Sequence, residues 1–84
     1  MSSDNKSALK GLGKAIKAQR KLIKFSQTEL ANLAGVSLNL VSQVEAGKTT
    51  SQIGKVLDIL DALGMRLNLE IGKGRITIQA RKSF

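Results

Sequence analysis

The sequence predicts a mainly α domain, four short helices closed by a C-terminal β-hairpin. Three observations carry that reading. Up to Leu63 the apolar residues recur at helical spacing. Gly35, Gly47 and Gly64 stand where successive apolar stretches stop, the place where helices commonly end on a left-handed residue. Beyond Gly64 the apolar period changes to two, the period of a strand.

A chain of 84 residues is expected to form one domain. A domain of this size buries only about 60% of its unfolded surface, so self-association is expected. The sequence has neither cysteine nor histidine. That excludes a disulfide framework, a thiol nucleophile and the commonest general base, and no metal or cofactor is expected. No stretch reads as a signal peptide or a membrane span, so the expected compartment is the cytoplasm, with no membrane partner. The net charge is +8, which favours an anionic partner. The only aromatic residues are Phe25 and Phe84. Readers of single strands and of RNA stack bases on aromatic side chains, so this composition points away from them.

Residues 1–6 read as a flexible N-terminus and residues 7–24 as the first helix. Leu9, Leu12, Ile16 and Ile23 share one face, and Lys10, Lys14, Lys17, Lys21 and Lys24 lie opposite. Gly11 and Gly13 weaken its first turns. A solvated face accounts for most of these lysines and phosphate contact for a minority. Ser26 and Glu29 form a capping box for the next helix, and Phe25 can staple onto Leu30. That helix is expected over residues 27–34, ending at Gly35. A third follows over about 37–46, with Gly47 beyond it. Residues 49–52, Thr-Thr-Ser-Gln, carry a further capping signal. They open a helix whose apolar face is Ile53, Val56, Leu57, Leu60 and Leu63.

Residues 65–80 read as the hairpin and 81–84 as a tail. Leu67, Leu69 and Ile71 alternate with polar residues, as do Ile76, Ile78 and Ala80. Residues opposite each other share a face, which pairs Ile71 with Ile76 and Leu69 with Ile78 around a two-residue turn at Lys73-Gly74. Two strands alone are marginal in water and leave open edges. Leu67, Leu69, Ile71, Ile76 and Ile78 are therefore expected to form a dimerisation face, although the hairpin could instead cover its own helices.

The informative stretch runs from Gln27 to Lys48. Two short helices meet at a tight turn around Gly35, held by Leu30, Ala34, Val36, Val41 and Val44, with Ala31 small enough for a close crossing. This leaves Ser37, Leu38, Asn39, Ser42 and Gln43 facing outward. Short polar side chains on an exposed helix fit readout of base edges in the major groove. Gln27 and the first amides of its helix lie where a phosphate can bind.

The pattern Gln27-Thr28-x-Leu30-Ala31-x-x-Ala34-Gly35-Val36-Ser37, then Val41-Ser42-x-x-Glu45-x-Gly47-Lys48, resembles the Xre/Cro/lambda-repressor family of helix-turn-helix domains. The resemblance covers about Leu12 to Leu63. It implies a lambda-repressor-like fold of four to five helices, with the DNA-binding domain at residues 7–64. It implies that Ser37 to Gln43 form the recognition-helix surface and that Gln27, Lys48 and Thr49 contact phosphates. It also implies an ion pair between Arg20 and Glu45. Leu38 and Leu40 depart from the pattern, being apolar where many relatives are polar. Leu38 could meet a thymine methyl, whereas Leu40 suits packing.

A narrower resemblance runs through Glu45-Ala46-Gly47-Lys48-Thr49, Gly54-Lys55-Val56-Leu57, Leu60-x-Ala62-Leu63-Gly64 and then Leu67 to Ile71. It is similar to the HipB-like branch, antitoxins and autorepressors encoded beside HipA-type kinase toxins. That branch implies a homodimer joined through a C-terminal strand, an inverted-repeat operator in double-stranded DNA and a HipA-like kinase toxin as partner. A repressor without a toxin and a basic protein-interaction module stand as alternatives. No catalytic residues are expected. Asp58 and Asp61 are the only closely spaced carboxylates, and beside Lys55 they suit the solvated face of a helix.

Overall fold

Local chemistry sets most of the helix boundaries in the computed structural model, which describes residues 2–48, 51–70 and 75–80, with side chains described for 7–48 and 51–66. The elements are α1 (Ser2–Leu22), α2 (Gln27–Ala34), α3 (Leu38–Glu45), α4 (Ile53–Ala62), β1 (Met65–Glu70) and β2 (Arg75–Ala80). The mainly helical architecture matches the expected fold class.

Helix α1 starts at Ser2, not at position 7. Residues 2–6 contain neither Gly nor Pro, and each residue added to a nucleated helix gains a backbone bond. The flexible segment expected over residues 1–6 is thus helical from Ser2. The helix also ends earlier than expected, at Leu22. Lys24 takes the left-handed position at φ 62°, and the Phe25 amide closes back on the Arg20 carbonyl at 2.9 Å. Helices α2 and α3 close the same way on Gly35 (φ 72°) and Gly47 (φ 77°), where the missing Cβ removes the steric cost.

The core is one cluster. Ile16, Leu30, Val41, Ile59 and Leu63 are fully buried, with Ala31, Leu40, Val44, Val56, Leu60 and Met65 around them. Leu12, Ala15, Ile23, Ala34 and Val36 pack against its margin. The expected face of α4 needs correction. Val56, Leu60 and Leu63 point inward, but Ile53 is 61% and Leu57 46% exposed, and Ile59 takes the inward place. Both sets fit helical spacing around Val56, so the packing against α2 decides between them. The cap is also displaced. Gln52 stands at the N-cap of α4 and not one of the hydroxyl residues before it.

Strands β1 and β2 form an antiparallel pair, β1 running beside α4 and β2 beside α1. The register pairs Leu69 with Ile76 and Leu67 with Ile78, with Glu70 opposite Arg75. The expected pairing of Leu69 with Ile78 and Ile71 with Ile76 is therefore off by two residues. A shift of two keeps every side chain on its face, so apolar alternation cannot distinguish the two registers. The turn does, and residues 71–74, Ile71 among them, lie outside the described residues, as does the tail at 81–84.

Candidate nucleic-acid interface

Two capped helices and the turn between them build the site. The Ser26 hydroxyl accepts from the Glu29 amide at 3.0 Å, and the Glu29 carboxylate accepts from the Ser26 amide at 2.8 Å. This is the capping box read from the sequence. Gly35 turns the chain, and the Ser37 hydroxyl then caps α3 by accepting from the Leu40 amide at 3.0 Å.

Helix α3 has two faces. Leu40, Val41 and Val44 are buried against the core. Ser37, Leu38, Asn39 and Ser42 are exposed and Gln43 is half-buried. The five residues expected to face outward are thus gathered along one edge of α3. Ser37 sits there with its hydroxyl oxygen already engaged in the cap. Leu40, the other apolar departure, belongs to the core. Lys48 is exposed immediately after the Gly47 turn, while Thr49 lies outside the described residues.

What fixes the pose of α3 is a buried polar cluster at its C-terminal end. Arg20 of α1 meets Glu45 in a two-pronged pair, Nε to Oε2 at 2.7 Å and Nη2 to Oε1 at 3.0 Å. The side chains are only 9% and 3% exposed. Arg20 Nη1 also donates to the Phe25 carbonyl at 2.9 Å, and Gln27 Nε2 donates to Glu45 Oε1 at 3.1 Å. A buried charge is tolerated only when its bonding groups are matched, and this cluster meets that condition. Among the described residues no buried side-chain nitrogen or oxygen lacks a partner. Burial by itself would raise the Glu45 carboxyl. The bonds from Arg20 and Gln27, with the charges of Arg20 and Lys17, outweigh it and hold the group below the ordinary carboxylate range.

Gln27 was expected to contact phosphate. In the fold it is half-buried, and one N–H of its amide ties the first turn of α2 to Glu45. The first turn of α2 is similarly narrowed, because the capping box takes the Glu29 amide and adds a carboxylate there.

One structural residue escaped the reading of the sequence. Gly13 of α1 is buried where the helix crosses the end of α3. A Cβ built on it would stand 2.5 Å from the Val44 carbonyl oxygen and 2.6 Å from that of Glu45. Only glycine permits α1 to come this close, and that approach helps bring Arg20 within reach of Glu45. The available signal was a mid-helix glycine on the same face as Ile16 and Arg20.

Residues 16–69 match the family model described as helix-turn-helix. The chain belongs to that family. It is also 43% identical over 58 residues to the protein named "Uncharacterized HTH-type transcriptional regulator y4mF" of Sinorhizobium fredii, an alignment spanning 69% of this chain and 76% of the relative. In the helix-turn-helix frame, α2 and α3 are the two motif helices and α3 occupies the recognition position. Among the described residues, no helix is long and apolar enough to cross a membrane, and no cluster of acidic side chains could hold a metal ion.

Proposed function

We propose that this protein is a sequence-specific transcriptional repressor that binds double-stranded DNA as a homodimer on an inverted repeat. The observation that carries the reading is the outward edge of α3: Leu38, Asn39 and Ser42 exposed, Gln43 beside them, on a helix whose other face is locked into the core. Amide side chains pair bidentately with adenine in the major groove, so Asn39 and Gln43 carry the base readout and Leu38 meets a thymine methyl. Lys48 neutralises backbone phosphate. In this reading the protein has no catalytic residue and works in the cytoplasm.

A mobility-shift titration on DNA from upstream of its own gene, against random duplex, tests this. Asn39→Ala or Gln43→Ala is expected to cost about 1–3 kcal/mol on the operator and little on random DNA. Lys48→Gln is expected to weaken both alike and to flatten the salt dependence. Equal losses on the two DNAs for all three variants would remove the assignment.

Two features support the homodimer. Among the described residues the hairpin is a two-stranded sheet with no further strand on either edge, and Ile53 and Leu57 expose apolar surface on α4, the helix that β1 runs beside. A two-fold pair would set two copies of α3 about 34–36 Å apart, one turn of DNA. Leu67, Leu69, Ile76 and Ile78, with Ile71, are the residues assigned to the joint. Sedimentation equilibrium of the full chain is expected to give a dimer at the concentrations where DNA binds; a monomer there would overturn this part.

The HipB-like stretch from Glu45 through Gly64 supports a more specific role, an antitoxin that represses its own operon and binds a HipA-like kinase toxin. Co-expression with the product of the adjacent reading frame tests it. A stable complex with a kinase-like protein supports the antitoxin, and a neighbour without kinase sequence leaves a stand-alone repressor.

A further inference from the structure

Helix α1 carries Lys10, Lys14, Lys17 and Lys21 within an arc of about 60°. All four are exposed, and none is in an ion pair among the described residues. Seen down the helix the arc lies across from the apolar face, and its Lys17 edge is the one nearer Gly13, where α1 closely approaches Val44 and Glu45 of α3. Lys10 sits against the turn after α3, its Cα 3.0 Å from where a Cβ on Gly47 would stand, one residue from Lys48. Lys17 is near enough to Glu45 for its charge to act on that carboxyl. From Lys10 to Lys21 the ridge runs about 16 Å along the helix, long enough to face several phosphates of one strand.

We propose that Lys10, Lys14, Lys17 and Lys21 form, together with Lys48, a basic ridge that grips the DNA backbone beside the half-site read by α3. The proposal rests on the DNA-binding reading and extends it to a second, sequence-independent surface on α1. The fold also argues against an anionic membrane as the partner. A helix lying on lipid inserts its apolar face, and the apolar face of α1 is committed to the core through Ile16 and Leu12. The lysine side chains project from a scaffold whose position relative to α3 is fixed by the Arg20–Glu45 pair, and the proposal has the ridge and the reading edge engage one duplex together.

The test uses the full chain, the DNA upstream of its gene and a random-sequence duplex, titrated between 50 and 200 mM salt. Each of Lys10→Gln, Lys14→Gln, Lys17→Gln and Lys21→Gln is expected to lower the slope of log affinity against log salt by about 0.9 on both duplexes. That corresponds to a salt response about three- to fourfold weaker per lysine across this range. Arg66→Gln removes the same charge from an exposed position in β1 and is expected to leave the slope unchanged. Asn39→Ala is expected to lose operator preference while keeping the slope. Circular dichroism should be unchanged in all four lysine variants, because the substituted side chains are exposed; the melting temperature should be unchanged in three and slightly lower in Lys17→Gln, whose charge acts on Glu45. Slopes unchanged from the parent, or lowered equally by Arg66→Gln, would overturn the ridge and leave the repressor reading standing. A parent chain that binds neither duplex would overturn both, and retention of the chain by an acidic protein would then identify the partner class.

Discussion

Replacing Glu45 with alanine is expected to cost the fold about 3–5 kcal/mol, because the Arg20 guanidinium is then left buried without its counter-charge. Whole domains are typically stable by about 5–15 kcal/mol, so this one side chain accounts for a large share. The same truncation at Asp58, exposed on α4, is expected to change stability by no more than about 0.5 kcal/mol. In a domain of this size each kcal/mol moves the melting temperature by about 4–8 °C, so the two variants separate clearly in a thermal scan. The double variant Arg20→Met with Glu45→Leu should recover much of the loss, since it strands no charge. That recovery distinguishes the cost of a stranded cation from simple loss of packing. Acid should act like the alanine variant. The folded-state value of Glu45 lies below the ordinary carboxylate value of about 4.3, so the pair stabilises the fold fully above that pH. Its contribution fades as the pH falls through the lower, folded-state value. A Glu45→Gln variant should lack that part of the acid transition. Equal melting temperatures for the Glu45 and Asp58 variants would place Glu45 at the surface and remove the anchor from α3.

The parts legible in the sequence are those governed by chemistry a few residues wide. Helix α2 runs residue for residue where Ser26, Glu29 and Gly35 place it, because a capping box and a left-handed stop are local devices. The Arg20–Glu45 pair was also legible, through the family pattern that both residues fit. What was not legible depends on which elements meet. Leu57 and Ile59 fit the same helical period around Val56, and only the packing of α4 sends Ile59 inward. The bond from the Gln27 amide to Glu45, 3.1 Å across the fold, has no local signal in the sequence. The hairpin register differs by two residues, a slip that leaves the alternation of faces unchanged. For the outward edge of α3, the pattern of buried Leu40, Val41 and Val44 leaves Ser37, Leu38, Asn39 and Ser42 exposed and Gln43 half-buried, as the helical spacing predicts.

Glycine-to-alanine exchanges two residues apart in α1 are expected to have opposite signs. Both Gly11 and Gly13 stand inside the helix, where alanine is intrinsically favoured by about 1 kcal/mol. At Gly11 a Cβ meets nothing within 4 Å and the position is exposed, so the propensity gain should appear as added stability. At Gly13 the new methyl would lie 2.5 Å and 2.6 Å from two backbone carbonyl oxygens. Those atoms belong to the last turn of α3 and have no rotamer to move aside. The helices must therefore separate, and overpacking of this kind typically costs about 1–3 kcal/mol or more, which exceeds the propensity gain. The separation also lengthens the reach from Arg20 to Glu45, so the variant should lose operator affinity beyond what its lowered stability explains. Urea midpoints for the two single variants, with operator titrations well below the transition, measure both effects. A Gly13→Ala protein as stable as Gly11→Ala would mean that α1 and α3 do not touch closely at Gly13 and that the ion pair alone holds α3.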